Sequence, residues 1–368
     1  MSDNTTYTSN AAQRRARRYK KQSPGRKALR VIGRILLLIL TFALAVVLAL
    51  GITIKTICSD RYPSAQKMFV TTVLESGQLK FLATLFLSEE EVQAIVDENS
   101  MKELNAEVDT DLISFADAPA TQKDIEIVEV AGSTYTGTMM IVKDPSRISI
   151  ASIYPWKSQG IPLHELCEND GALAGINGGL YNSYNNSGGN PYGVLVSRGE
   201  IQYNKPWEYP GLVLIGFTED NILQIIDING YSQSQVESLI KEKKIRDAVT
   251  FQEEASDANN HFVQLIINGE SREMNGQGSG LNPRTAIGQR ADGSVLLFVT
   301  DGRGKSGHLG ASSGDLISVM EQYGAVNAAN LDGGSSSCMW YDGDYLMTSV
   351  TFYYSNSSWK LPAGFVVH

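Results

Sequence analysis

Between Arg34 and Lys55 the chain carries no charged residue for twenty positions, Ile35–Ile54, and Leu, Ile, Val and Ala dominate the run. Twenty residues in an α-helix reach about 30 Å, the hydrocarbon thickness of a bilayer. A helix apolar on every side has no polar face to turn to water, so the run predicts a membrane-spanning helix. Ala43-Leu-Ala45 resembles a signal-peptide cleavage site but lies mid-run. The reading is therefore an uncleaved anchor.

The charges around this run fix its expected orientation. Eleven of the 31 Lys and Arg residues, and one of the 40 Asp and Glu residues, precede residue 56. Basic residues flanking a span stay in the cytoplasm. Residues 1–34 thus read as a disordered basic cytoplasmic tail, 35–54 as a single-pass span in the cell membrane, and everything after Lys55 as extracellular. The remainder carries 20 basic against 39 acidic residues, a net charge of −19. So acidic a region repels a phosphate backbone, which argues against nucleic acid as a partner. Cys58, Cys167 and Cys338 form no CxxC, and His164, His261, His308 and His368 are scattered. No metal site or cofactor is expected from this pattern. Pairing of Cys167 with Cys338 and the oligomeric state stay open.

Residues 55–100 read as a helical stalk, with apolar positions at helical spacing and a capping box, Ser88-Glu-Glu-Glu91, starting one helix. Residues 101–123 are acidic and aperiodic, with Asp-Ala-Pro-Ala at 117–120, and read as a linker. From 124 to 368 runs one domain. Strands are expected at 125–130, 135–142, 148–153, 172–177, 194–196, 201–203, 212–217, 222–228, 262–267, 285–288, 294–300 and 325–331. Helices are expected at 161–169, 232–244 and from Ser312 or Ser313 to 323. The fold class is α/β (mixed α+β), a mixed sheet with a β-α-β unit over 294–331.

Three apolar strands end in polar, glycine-bearing tips: Asn177-Gly178-Gly179, Asp301-Gly302-Arg303 and Asn330-Leu-Asp332-Gly333-Gly334-Ser335. Were these strands parallel neighbours, their carboxyl ends would form one crevice. It would hold two carboxylates, an amide, backbone N–H groups freed by glycines, and Arg303 with Arg284 nearby. Arginine grips phosphate bidentately, and Asp and Asn bond sugar hydroxyls. Two carboxylates are also the minimum for glycoside acid–base or nucleophilic chemistry. Each of these residues has a plainer reading: turn residues for the Asp and Asn positions, an ion pair for Arg284, a solvated loop for Arg303. His308 reads first as a solvated loop histidine and second as an acid or base. Tyr181 reads as packing or as a stacking surface for a sugar ring. Ser335 lacks the His and Asp partners of a nucleophile.

Four stretches resemble the phosphodiester glycosidase family: Ala174-Gly-Ile-Asn-Gly-Gly-Leu-Tyr181, Asn282-Pro-Arg-Thr-Ala-Ile-Gly288, Val299-Thr-Asp-Gly-Arg303 and Ala328-Ala-Asn-Leu-Asp-Gly-Gly-Ser-Ser336. Two departures stand out. Ser335 replaces a third glycine, and Leu180, with Tyr181 behind it, replaces the usual Phe. The resemblance implies cleavage of a sugar-1-phosphate phosphodiester on the sugar side with no obligatory cofactor. Bacterial relatives are often membrane-anchored and linked to exopolysaccharide. The expected substrate is a phosphorylated glycan or polysaccharide of the cell surface. Asp301 and Asp332 are the expected catalytic residues. Asn177, Gly178, Gly179, Tyr181, Arg284, Thr285, Gly302, Arg303, Asn330, Gly333, Gly334 and Ser335 are the expected substrate-binding set. The alternatives are a non-catalytic binding or assembly module for anionic wall or capsule polysaccharide, and a metal-assisted phosphodiesterase.

Overall fold

The structure, a computed structural model, describes residues 24–76, 79–102, 104, 106–115, 125–253, 262–350 and 356–368. The tail expected over 1–34 falls largely outside them, as does the Asp-Ala-Pro-Ala stretch. The chain divides into two compact units, Met1–Tyr62 and Pro63–His368. The described part of the first is one helix, α1 (Pro24–Ile57). It is long and apolar enough to cross a membrane, and its apolar side chains are exposed.

The second unit begins with α2 (Pro63–Leu74) and α3 (Glu89–Asp97). Ser88 caps α3 with the expected capping box to Glu91. Among the described residues seventeen strands and three further α-helices follow: β1 (Ile125–Ala131), β2 (Thr136–Val142), β3 (Ile148–Ser152), α4 (Leu163–Asp170), β4 (Ala174–Asn177), β5 (Gly193–Ser197), β6 (Glu200–Lys205), β7 (Leu212–Thr218), β8 (Leu223–Asp227), α5 (Gln233–Glu242), β9 (Ile245–Gln252), β10 (Gln264–Ile267), β11 (Glu270–Ser271), β12 (Thr285–Arg290), β13 (Val295–Thr300), α6 (Ser313–Gln322), β14 (Ala325–Asn330), β15 (Met339–Tyr341), β16 (Asp344–Met347) and β17 (Ala363–Val367). They build three sheets, ordered β1-β2-β13-β12-β14-β10-β11, β16-β15-β4-β17-β3 and β6-β5-β9-β7-β8. The main apolar core gathers side chains from all three, among them Ile176, Phe217, Leu297, Ala329 and Phe365. This is a mixed α/β fold, as expected.

Two expectations are corrected. The tip-bearing strands are not parallel neighbours, since every pairing among the named strands is antiparallel. The β-α-β unit β13-α6-β14 exists, but β12 lies between its two strands. The cause is local: Gly293 (φ +85) closes a tight turn from Arg290, so β12 and β13 fold as a hairpin. β12 also admits β14 on its other side, where Gly288 lets the Asn327 carbonyl approach. Both β13 and β14 run against β12. Their carboxyl ends therefore still share one edge, about 10 Å apart across two strand spacings.

The second correction concerns residues 63–115, which do not stand apart as stalk and linker. They pack on the domain within the same unit. Lys102 N–H donates to the Glu273 carbonyl at 2.8 Å, Ser114 N–H to that of Ala291 at 2.7 Å, and Asn275 N–H to that of Ser100 at 2.7 Å. Of the apolar positions at helical spacing, Val70 and Val73 are buried, whereas Leu79 and Leu85 are exposed. Glu75, one residue past the end of α2, supplies a buried charge to the domain, described below.

Candidate active site

Arg284 lies at the head of β12, directly between the two tips. Its carbonyl accepts from Thr300 N–H at 2.9 Å, and the Thr285 carbonyl accepts from Leu331 N–H at 2.8 Å. The backbone ladder thus brings Asp301, Arg284 and Asp332 to one edge. Asn177 arrives from the second sheet. Its Oδ1 accepts from the Thr285 hydroxyl at 2.8 Å and from Cys338 N–H at 3.2 Å. Its Nδ2 donates to the Asp332 carbonyl at 2.6 Å. The three tips expected to converge do converge, although one belongs to another sheet.

The two carboxylates meet different surroundings. Asp301 is buried. Its Oδ1 accepts from Thr136 N–H at 2.8 Å. Its Oδ2 lies 2.7 Å from His308 Nδ1, and a carboxylate only accepts, so that nitrogen carries the proton. The Thr136 hydroxyl sits 3.1 Å from the same nitrogen. Both Asp301 oxygens are therefore engaged, and His308 keeps Nε2 free of that contact. Lys305 stands nearby; burial lowers its amine while the Asp301 charge opposes that shift.

Asp332 is half-buried. Loss of hydration pushes its carboxyl up to about 7. The Ser336 hydroxyl, the Gly333 N–H and the Arg303 charge pull the other way without cancelling the rise. Behind Ser336 stands Tyr181, with hydroxyl oxygens 2.9 Å apart. Burial, with the Asp332 charge second, holds the Tyr181 hydroxyl well above its usual range, so it stays a neutral donor. A relay Tyr181–Ser336–Asp332 results.

The two arginines also differ. Arg284 is buried, and its Nη2 is 3.1 Å from Glu75 Oε1, with both side chains at most 5% exposed. Its remaining contacts are the Ser279 hydroxyl at 3.0 Å and the carbonyls of Gly280 at 2.8 Å and Ala311 at 3.2 Å. Burial raises the Glu75 carboxyl, and Arg284 works against that rise. Arg303 is exposed. Its backbone holds φ +52, uncommon for a residue with a Cβ. Its Nε donates to Asn282 Oδ1 at 3.0 Å and its Nη1 to the Ser335 hydroxyl at 2.7 Å.

The other expected residues fall into two groups. Thr285, Asn330 and Tyr181 are buried, Asn330 donating to the Phe262 carbonyl at 2.9 Å. They brace the edge from inside, and Tyr181 presents no ring face for a sugar. The glycines allow close approach. A Cβ at Gly179 would lie 2.3 Å from the Thr250 carbonyl, one at Gly302 2.8 Å from Gly310 Cα, and one at Gly178 3.4 Å from Val249. Of the glycine pair in the Asp332 tip only Gly334 takes a positive φ, +64; Gly333 is extended. Thr136, Ser336, Asn282 and Glu75 belong to the same network. Asn282 and Ser336 stand inside the recognisable motifs, whereas Thr136 and Glu75 carry no local signal of a site.

A cavity of about 570 Å³ lined by Gln224, Tyr231, Lys243, Glu253 and Arg272 shares none of these residues. Its Arg272 and Glu253 pair with each other at 2.5 Å, leaving neither free for an ionic ligand. Among the described residues no group of three or more His, Cys, Asp or Glu side chains is placed to hold a metal ion.

A carboxyl titrating near neutrality beside a solvent-facing guanidinium is equipped for proton transfer on an anionic ligand. The chain belongs to the phosphodiester glycosidase family, whose sequence profile matches residues 170–368. The catalytic domain of zebrafish N-acetylglucosamine-1-phosphodiester alpha-N-acetylglucosaminidase, auto-inhibited by its pro-peptide, has the same fold. That likeness has a TM-score of 0.53 at 16% identity, covering 69% of this chain and 87% of that one. A hypothetical protein from Synechocystis aligns with a TM-score of 0.40 at 17% identity, over 66% of this chain and 61% of that one. The SPbeta prophage-derived uncharacterized protein YomE of Bacillus subtilis (strain 168) is 40% identical over 65 residues. That stretch is 18% of this chain and 10% of the relative, so the match spans about a tenth of the relative's length.

Proposed function

We propose that this protein is a membrane-anchored glycosidase that hydrolyses a sugar-1-phosphate phosphodiester in a cell-surface or exopolysaccharide glycan. The observation that carries the reading is the Asp332 carboxyl near 7, beside Arg303, on an edge built from the family's own motifs. The anchor is α1, with the catalytic unit on the extracellular face.

In this mechanism Arg303 grips the non-bridging phosphate oxygens. Water attacks the anomeric carbon, and Asp332 accepts the water proton. A new bond forms from the water oxygen to that carbon. The bond from carbon to the bridging oxygen breaks, and its electron pair leaves with the phosphomonoester. A base with a pKa near the working pH suits this role. Asp301 acts as a positioning residue: it fixes the His308 ring through Nδ1, which leaves Nε2 to hydrogen-bond the ligand, the logic of an oriented imidazole. Arg284, consumed by Glu75, sets the edge instead of touching the ligand.

Hydrolysis in ¹⁸O-labelled water tests the reaction directly. Attack at the anomeric carbon puts the label in the released sugar and none in the phosphomonoester. Label in the phosphate, or no release from any sugar-1-phosphodiester, overturns the reading.

A further inference from the structure

The Asp332 tip carries Ser335 where the family pattern has a third glycine. Ser335 does not use the conformational freedom of glycine, because its backbone is absent from the positive-φ set and it sits in a short 3-10 turn, Gly334–Ser336. What it adds is an oxygen 2.7 Å from Arg303 Nη1.

That contact completes a clamp. On the far side of the guanidinium Asn282 Oδ1 accepts from Nε at 3.0 Å. Asn282 is itself fixed, because it forms a bridge with Ala311 through paired backbone bonds of 3.1 and 2.9 Å. Beneath the group lies Gly334, where a Cβ would stand 2.6 Å from Nη2. The Arg303 backbone at φ +52 sets the root of the side chain. A guanidinium has five N–H donors, and the clamp uses two. One on Nη1 and both on Nη2, all in the guanidinium plane, remain for a ligand.

We propose that Ser335 is the specificity-determining positioning residue of this site: its hydroxyl locks Arg303 into one orientation, so that the free N–H edge receives a phosphodiester in preference to a neutral aglycone. This rests on the reading of the site as a sugar-1-phosphodiester hydrolase. An arginine held in place loses no further rotamer freedom when the anion arrives, so the benefit falls on binding. Ser335 is not a nucleophile here, since its oxygen accepts from a cation and has no base beside it.

The test uses the full-length protein in nanodiscs with Ser335→Gly, Ser335→Ala and Ser335→Thr. Substrates are a sugar-1-phosphodiester and the neutral 4-nitrophenyl glycoside of the same sugar, and inorganic phosphate serves as competitor. For Ser335→Gly and Ser335→Ala, KM for the phosphodiester rises about tenfold, the size of one charge-assisted hydrogen bond, with a far smaller fall in kcat. The neutral glycoside is affected much less, the inhibition constant of phosphate rises in parallel, and Ser335→Thr restores wild-type values. Equal loss on both substrates, an unmoved phosphate constant, or no rescue by threonine overturns the proposal. If the wild type releases no sugar, the hydrolase reading has failed. Calorimetric phosphate affinity of wild type against Ser335→Gly then still decides whether Ser335 builds the anion site.

Discussion

Two Asp-Gly tips leave the same edge of one sheet, from strands separated by β12, and they meet different surroundings. In the Asp301 tip the carboxylate is buried, with both oxygens engaged by Thr136 and His308. In the Asp332 tip the residue is half-buried, and loss of hydration pushes its carboxyl up to about 7. The arginines repeat the contrast. Arg284 is sealed against Glu75, and Arg303 is held by two neutral acceptors with three donors to spare. In each pair one charge is spent on structure and the other is left for a ligand. A dipeptide does not determine which; the partner count does.

The contrast is broken most severely at Asp332. Asp332→Asn is expected to lower kcat/KM at least about 10³-fold, the scale of a lost general base, while the protein still folds; release of free sugar and a melting curve check both halves. Next in size is the sealed pair. Glu75→Gln leaves Arg284 buried without a counter-charge and is expected to cost about 3–5 kcal/mol of stability. Urea unfolding followed by circular dichroism measures this, and an unchanged midpoint would show that the edge does not depend on Glu75. At the Asp301 tip, Asp301→Asn and His308→Gln should each cost about 10²-fold in kcat, and the double variant about the same, because one acts through the other. Additive losses would separate them.

The smallest effect is a pH slope in stability. A carboxyl whose folded pKa lies above its unfolded value stabilises fully below the unfolded value, and that contribution is lost as pH rises through the folded one. For Asp332 the window runs from about 4 to about 7. Melting temperatures of wild type minus those of Asp332→Asn should fall across that window and level off above it.

Much of this fold is legible in apolar patterning. The strands of the first sheet other than β11, the capping box of α3 and the serine starts of α5 and α6 fall where the sequence reading places them. β9 is missed because Arg246-Asp247, its second and third residues, read as surface. Both are satisfied internally, Asp247 Oδ1 accepting from Ile150 N–H at 2.9 Å and from Arg198 N–H at 3.0 Å. β17, a central strand of the second sheet, escapes because Ala363-Gly-Phe-Val-Val367 is short and follows a polar stretch. The insertion of β12 between β13 and β14 is invisible to periodicity, which records a strand's faces and not its neighbours. For the site, the motifs supply the residues but not their roles. Asn177 and Thr285 look like ligand groups and are used up on each other. Glu75, which claims Arg284, comes from more than two hundred residues earlier. His308 reads as solvated until Asp301 is placed at its back.

The central claim is that Asp332, poised near neutrality, takes the proton from the attacking water. The pH profile of kcat/KM on a sugar-1-phosphodiester tests it most directly. It should rise with unit slope below about pH 7 and flatten above, with the bend absent from the residual activity of Asp332→Asn. A profile flat through that region, or one that falls as pH rises through 7, would contradict the account.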